Sequence, residues 1–575
     1  MILNVFSMKK PFRYCRVALA ALLVASSTSV AAQGAPQDEN LLPHGDFEDP
    51  PIYGAREAIL PTAWGPYQWG PTGKAFSSDR EAGAGRNGSA AIRARNIDSE
   101  AQAGAFTKID IEPGAYEYSV WVRAQTGQTA RVRLYLGQAY SRHFTVGETW
   151  QQVQFRLTFS QPVPQAEVNL QNASGEANVV WFDDAVLRQV EAVEYVKAPD
   201  TRPQRPRTLL FSPINVNYLK DSAPQWAARG FGGFMFDQIM HEWFSDVWAA
   251  DGDAQTRGED DKLLQEVLAA NKASKAVGVD SNFVKIAFYQ DLPDFFDDAK
   301  WQTLTRNFAE GARFARMSGC AGVAIDTEYI PHQYEPKWAG YAANPRPLPE
   351  LKAKIAERWH TVVTEMLKEF PDMVLLTLPE GVRLYGELYN DMFAGMLSGM
   401  AENNAPGGLH VLTELTYSNT DPVGLGSFVQ DLDVTILEKI PTKHHAYWKQ
   451  RSSIALGAWP FGYYREVIGQ DGQPLGYSGR EETFGNEIVG SYADKSARYS
   501  PTEFAEQMTG LNTFSPRYNW IYGHGDIFTQ MTPEQIAHYK TLVHKSLFNV
   551  HVPTASNLDV YFKSIASPGF LVEKK

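Results

Sequence analysis

The chain has 575 residues, of which 44% are apolar and 21% charged, with a formal charge of −13 and two cysteines. That balance excludes wholesale disorder and leaves room for about two to four domains, fewer if one is a barrel. The acidic charge argues against a nucleic-acid partner, while 14 Trp and 26 Tyr supply more flat rings than an ordinary cytosolic enzyme carries.

Residues 1–32 have the form of a signal peptide. Lys9, Lys10, Arg13 and Arg16 precede the apolar run 17–24, and Val30-Ala31-Ala32 offers the small residues at which such leaders are cut. The run is too short to span a bilayer, so the expectation is an exported protein, periplasmic or extracellular, with no transmembrane segment. Without the leader the charge becomes −17, and Cys320 is left with no thiol to pair with inside the chain. It reads as a small buried residue.

Residues 40–190 alternate apolar and polar positions in short runs such as Tyr116-Glu-Tyr-Ser-Val-Trp-Val-Arg123 and Ala177-Asn-Val-Val-Trp-Phe-Asp183, with Gly, Pro, Asn or Ser between them. A period of two with frequent turns predicts an all-β sandwich or jelly roll. Residues 191–207 carry three prolines among charges and read as a semi-rigid linker.

From 208 to 575 the pattern changes to strands alternating with helices. Apolar strands are predicted at 208–216, 233–237, 283–289, 322–328, 373–379, 410–415, 454–461 and 518–522. Helical spacing appears at 263–276 and 301–317, and Ser222-x-x-Gln225, Ser500-Pro-x-Glu503 and Thr532-Pro-x-Gln535 look like capping boxes. Eight such alternations predict a (β/α)8 TIM barrel, giving a multidomain chain. Residues 465–500 read as an insertion that lids or shapes the cleft.

In such a barrel the side chains that follow the carboxyl ends of the strands build the site. The sharpest candidate is Gly322-Val-Ala-Ile-Asp-Thr-Glu-Tyr329, which places Asp326 and Glu328 two residues apart on the same face of the strand. Two acids that close in a low-dielectric cleft cannot both ionise freely, which provides a protonated acid beside a carboxylate. Glu414 and Glu380 end two other apolar runs and are candidate catalytic partners. Asn217, Asp237, Tyr289, Trp459, Tyr464, Trp520, Tyr522 and His524 fall where a glycan would lie and are candidate substrate contacts. Packing accounts for about half of the rings.

Asn40-Leu-Leu-Pro-His-Gly-Asp-Phe-Glu48 and Val180-Trp-Phe-Asp-Asp-Ala-Val-Leu187, with Trp150 between them, resemble the ends of a family 4/9-type carbohydrate-binding module. The resemblance implies a jelly roll, glycan contacts from Trp64, Tyr67 or Trp69, and a structural calcium ion held by Glu48 with Asp183 or Asp184. The barrel resembles a glycoside hydrolase of the broad TIM-barrel kind. It departs from the large retaining clan, because strand 4 carries Asp-Thr-Glu where Asn-Glu is usual and strand 7 ends without an acid. The reading is a secreted glycosidase that degrades a polysaccharide or oligosaccharide by carboxylate catalysis, with no catalytic cofactor. Its rivals are a non-catalytic glycan-binding surface protein and a metal-dependent hydrolase on Asp237, Asp326 and Glu328.

Overall fold

The computed structural model describes residues 40–49, 60–69, 77–97, 102–211, 216–236, 247, 250–287, 291–382, 385–460, 466–468, 474–477, 501–522 and 559–574, apart from 138, 142, 160, 161, 175, 176, 192–194, 329, 418 and 420. The expected leader 1–32 lies outside this set, as does most of the insertion 465–500. No helix among the described residues is long and apolar enough to cross a membrane.

The first module is a β-sandwich. Its strands are β1 (Gly65–Trp69), β2 (Ser77–Glu81), β3 (Ala91–Asn96), β4 (Gln102–Ile111), β5 (Gly114–Ala124), β6 (Ala130–Leu136), β7 (Ala139–Tyr140), β8 (Phe144–Val146), β9 (Gln151–Phe159), β10 (Val163–Asn172) and β11 (Asn178–Val190). One antiparallel sheet runs β1-β4-β10-β6-β7 with β8 beside β6, and the other runs β2-β3-β11-β5-β9. The period-two sequence explains both. Tyr116, Tyr118, Val120 and Val122 of β5 and Val132, Leu134 and Leu136 of β6 are buried, and they share one core with Phe47, Leu170 and Phe182.

After β12 (Tyr195–Pro199) the chain enters a closed parallel barrel of β13 (Arg207–Phe211), β14 (Phe231–Phe236), β15 (Phe283–Ala287), β16 (Gly322–Asp326), β17 (Val374–Leu378), β18 (Leu409–Thr413), β19 (Ser453–Ala458) and, following the pair β20 (Glu466–Ile468) and β21 (Pro474–Tyr477), β22 (Tyr518–Tyr522). All eight predicted strands are present. β14, β16, β18 and β19 are buried at every residue, which is why they read as unbroken apolar runs. Gly322 abuts β17 so closely that a Cβ there would lie 1.8 Å from the Val374 oxygen.

Two predicted strands overrun their observed ends for one reason. β16 stops at Asp326, whose Oδ1 accepts the Glu328 N–H at 3.1 Å, and β18 stops at Thr413, whose Oγ1 accepts the Leu415 N–H at 3.2 Å. Each side chain turns the backbone out of the sheet just after the strand. One predicted cap is corrected. Ser222 lies inside the helix Val216–Ala228, where its hydroxyl donates to the Tyr218 carbonyl at 2.6 Å, so it does not start that helix.

The segment expected to be a linker is pinned. β12 pairs antiparallel with β23 (Gly569–Glu573), and the Asp200 side chain, fully buried, accepts hydrogen bonds from Arg202 at 3.0 and 2.6 Å and from Asn512 at 2.6 Å. Arg202 first, and then Asn512, hold the Asp200 carboxyl far below the usual carboxylate range. Low in the barrel, burial pushes the imidazole of His410 down to about 3, and its ring nitrogens meet Ser453 Oγ at 2.8 Å and the Gly407 oxygen at 3.0 Å.

Candidate active site

Asp326 ends β16 with its side chain 2% exposed. Lys285 stands opposite Ala324 in the register of β15 against β16, so it points to the same inner face as Asp326. The alanine leaves room for the longer side chain to rise one layer, and Lys285 Nζ lies 2.9 Å from Asp326 Oδ2, itself 2% exposed. The ammonium also sits 4.0 Å from the centre of the Phe211 ring, a cation–π contact at the end of β13. With Oδ1 on the Glu328 amide, both oxygens of Asp326 are engaged. Asp326 and Glu328 do not share a strand face: β16 has ended, and Glu328 is exposed just beyond it.

Glu380 follows the cis Leu378–Pro379 bond and is fully buried. Gly381 comes next at φ +62°, and a Cβ there would meet the Tyr389 ring at 2.2 Å, so only glycine lets that ring pack under the turn. Tyr389, Tyr385 and Tyr334 form a cluster with ring centres 5.0 to 6.0 Å apart. Burial raises the Tyr385 hydroxyl far above the ordinary phenol range, and Tyr389, Glu328, Asp326 and Glu414 raise it further, in that order. Tyr385 thus feels the charge of acids that follow two different strand ends, β16 and β18.

Glu414, half-buried, follows β18. The loop that carries it is tied down from outside the barrel: the buried Gln507 amide donates to the carbonyls of Thr416, Tyr417 and Asn419 at 3.0, 3.3 and 3.0 Å. An aromatic cluster lies beyond β18 and β19 and at the end of β22, in which Tyr417 and Trp459 are themselves buried and Tyr522 is half-buried. Trp459 and Tyr522 meet edge-on with ring centres 4.4 Å apart, and Tyr417 packs against both at 5.7 and 6.3 Å. Trp520, expected as a substrate contact, is fully buried and packs 6.4 Å from Phe211, which makes it a ring of the barrel interior. Asn217 lies half-buried in the first turn of the helix Val216–Ala228. Asp237, Tyr289, Tyr464 and His524 lie outside the described residues.

Three contributors escaped the sequence reading. Lys285 had a signal, being a lone cation within the apolar run Phe283-Val-Lys-Ile-Ala287, whereas Tyr385 and Gln507 had none.

In the sandwich, Glu48, Asp183 and Asp184 do gather around the turn 85–90, but their oxygens are taken by protein donors. Asp183 accepts from the Arg86 amide at 2.7 Å and Ser89 Oγ at 2.8 Å, Asp184 from the Arg86 guanidinium at 2.9 Å, and Glu48 from the Ala90 amide at 2.7 Å. A cation would have to displace these and share the place with Arg86, so the residues as they stand do not fit calcium. No group of three or more His, Cys, Asp or Glu among the described residues is disposed to hold a metal. Trp64 is a core ring, its Nε1 donating to the Pro43 carbonyl at 2.9 Å, and the Trp69 side chain lies outside the described residues.

Tyr67 belongs to a different surface, the outer face of the sheet β1-β4-β10-β6-β7. Register aligns Tyr67, Gly104, Gln171 and Arg133 in one row and Phe106, Asn169, Tyr135 and Tyr140 in the next. Arg133 donates to Gln171 Oε1 at 3.1 and 2.9 Å, and Asn169 Nδ2 donates to Glu167 at 2.8 Å. Among the described residues, Gln171 Nε2 and Asn169 Oδ1 are left buried with no hydrogen-bond partner.

No protein-family model matches the chain, and no curated protein matches it. Among solved structures, a xylan-binding domain from Paenibacillus barcinonensis is similar at 17% identity over 28% of this chain and 99% of its own, with a TM-score of 0.21. A Clostridium thermocellum endo-1,4-β-D-xylanase, in complex with xylohexaose, is similar at 12% identity over 88% of this chain and 94% of its own, with a TM-score of 0.32. A Cellvibrio japonicus xylanase in complex with xylopentaose is similar at 9% identity over 88% and 97%, with a TM-score of 0.33. The sandwich and the closed barrel stand on this chain's own strand topology.

Proposed function

We propose that the chain is an exported glycoside hydrolase acting on a polysaccharide or oligosaccharide. The observation that carries this reading is the placement of Asp326, Glu328 and Glu414 at or just beyond the carboxyl ends of β16 and β18 in a closed parallel barrel, with the rings of Tyr417, Trp459 and Tyr522 clustered beyond β18, beyond β19 and at the end of β22. Paired acids beside stacking rings suit a sugar, whose C–H faces lie on aromatics while its glycosidic oxygen needs a proton. Asp326 is enclosed with both oxygens engaged, so Glu328 and Glu414 are the acids that reach substrate. One protonates the leaving oxygen while the other attacks the anomeric carbon or activates water. The Tyr385 hydroxyl keeps its proton and serves as a donor. Glu380 remains a buried carboxylate beside Tyr389.

A metal-dependent hydrolase on Asp237, Asp326 and Glu328 is the weaker reading, since the Lys285 ammonium already balances Asp326. We infer in addition that the sandwich contacts glycan through the row of Tyr67, Gln171 and Arg133, where one buried donor and one buried acceptor are supplied beneath tyrosine rings. The test is a polysaccharide panel assayed for release of reducing ends. Glu328→Gln and Glu414→Gln should each lose turnover while staying folded. Binding without release, by the wild-type protein, would favour a non-catalytic glycan-binding role.

A further inference from the structure

We propose that Lys285 is a positioning residue of the carboxylate site: through Asp326 it fixes where Glu328 stands at the barrel mouth. The inference rests on the hydrolase reading for its kinetic consequence and on geometry alone for its structural one.

The chain of contacts is short. Lys285 Nζ donates to Asp326 Oδ2 at 2.9 Å, and Asp326 Oδ1 accepts the Glu328 backbone amide at 3.1 Å. Glu328 therefore leaves the strand in a turn closed by a side chain whose own orientation is set by an ammonium. Both charges are 2% exposed, and a buried ion pair of this kind is a poor source of net stability, because apolar residues of similar size often serve as well. What such a pair supplies is direction. The Phe211 ring, 4.0 Å from Nζ, and the Ala324 position beneath leave the ammonium one way to point.

The surroundings require a cation there. Among the described residues, the groups gathered about Asp326 are Lys285 from β15, Glu328 beyond β16, Glu380 with the Tyr385 and Tyr389 hydroxyls after β17, and Glu414 after β18. Glu328, Glu380 and Glu414 add negative charge near the carboxylate that Lys285 meets directly. Without Lys285 the buried Asp326 carboxylate loses the partner that orients it, and with that the orientation in which Oδ1 accepts the Glu328 amide.

The experiment uses the full chain with Lys285→Met, Lys285→Arg, Asp326→Asn and the double variant Lys285→Met/Asp326→Asn. On a glycan that the wild type cleaves, Lys285→Met should lower kcat about 100-fold with KM little changed, the scale of loss expected from a displacement near 1 Å. Lys285→Arg should recover part of kcat, and the double variant should be no worse than Asp326→Asn. A Lys285→Met enzyme with wild-type kcat overturns the proposal, as do fully additive losses. If the wild type cleaves no glycan, the hydrolase reading fails, and a crystal structure of Lys285→Met still decides the positioning claim. A broken Asp326–Glu328 contact supports it, and an unchanged turn overturns it.

Discussion

Asp326 Oδ1 and Thr413 Oγ1 perform the same act two strands apart, each accepting the amide two residues ahead, and each thereby ends a barrel strand shortly before an acid, Glu328 two residues on in one case and Glu414 one residue on in the other. The two acids sit at different positions of turns of one kind. If the turns aim the acids, removing the acceptors should harm turnover more than stability. Thr413→Val should lower kcat about 10-fold while shifting unfolding by about 1 kcal/mol, the worth of one hydrogen bond. Chemical denaturation beside initial rates reads both, and unchanged kcat would count against aimed acids.

Gln507 lends its amide to three carbonyls of the loop after β18. Gln507→Ala leaves those oxygens buried without a donor and should cost about 1–3 kcal/mol. Because the loop carries Glu414, kcat should fall as well, and urea unfolding with kinetics on the same preparation checks the pair of effects.

His410 sets a pH dependence of stability. Its folded-state pKa of about 3 lies below the ordinary value of 6.5, so between those values the unfolded chain binds the extra proton. Stability from this group is complete above pH 6.5 and is lost as pH falls toward 3, a swing on the order of 5 kcal/mol. Denaturation midpoints measured from pH 7 to pH 4 should fall less steeply in His410→Gln than in the wild type.

Asp200 joins the segment after the sandwich to the barrel's outer helix. Asp200→Ala would strand Arg202 and release Asn512, at a cost of about 3–5 kcal/mol for breaking a buried pair. Limited proteolysis should then cut near residues 195–205, and resistance equal to the wild type would show that β12 and β23 hold without the clasp.

The sandwich surface separates binding from chemistry. Gln171→Ala should weaken retention on an insoluble polysaccharide, while kcat on a short soluble oligosaccharide stays at the wild-type value; pull-down and rate assays distinguish the two.

The barrel was legible because parallel strands covered by helices must be apolar throughout, so eight such runs announce themselves. The sandwich was legible from its period of two. A carboxylate after an apolar strand also stands out in sequence, which is what made Asp326, Glu328, Glu380 and Glu414 candidates. Their relations were not legible. Whether Asp326 and Glu328 share a face depends on where β16 stops, and that depends on one side chain folding back on its own backbone. Tyr385 and Gln507 reach the site from elements whose placement only the closed barrel creates. Ser222 misled for a related reason, because its hydroxyl serves the helix interior as readily as a helix start.

β12 and β23 are partners drawn from either side of the barrel sequence. Closing that pair needs a strand that follows every barrel strand in the sequence, so the fastening of the sandwich is completed late, and it adds to the packing of β9 on the helix Pro422–Lys439.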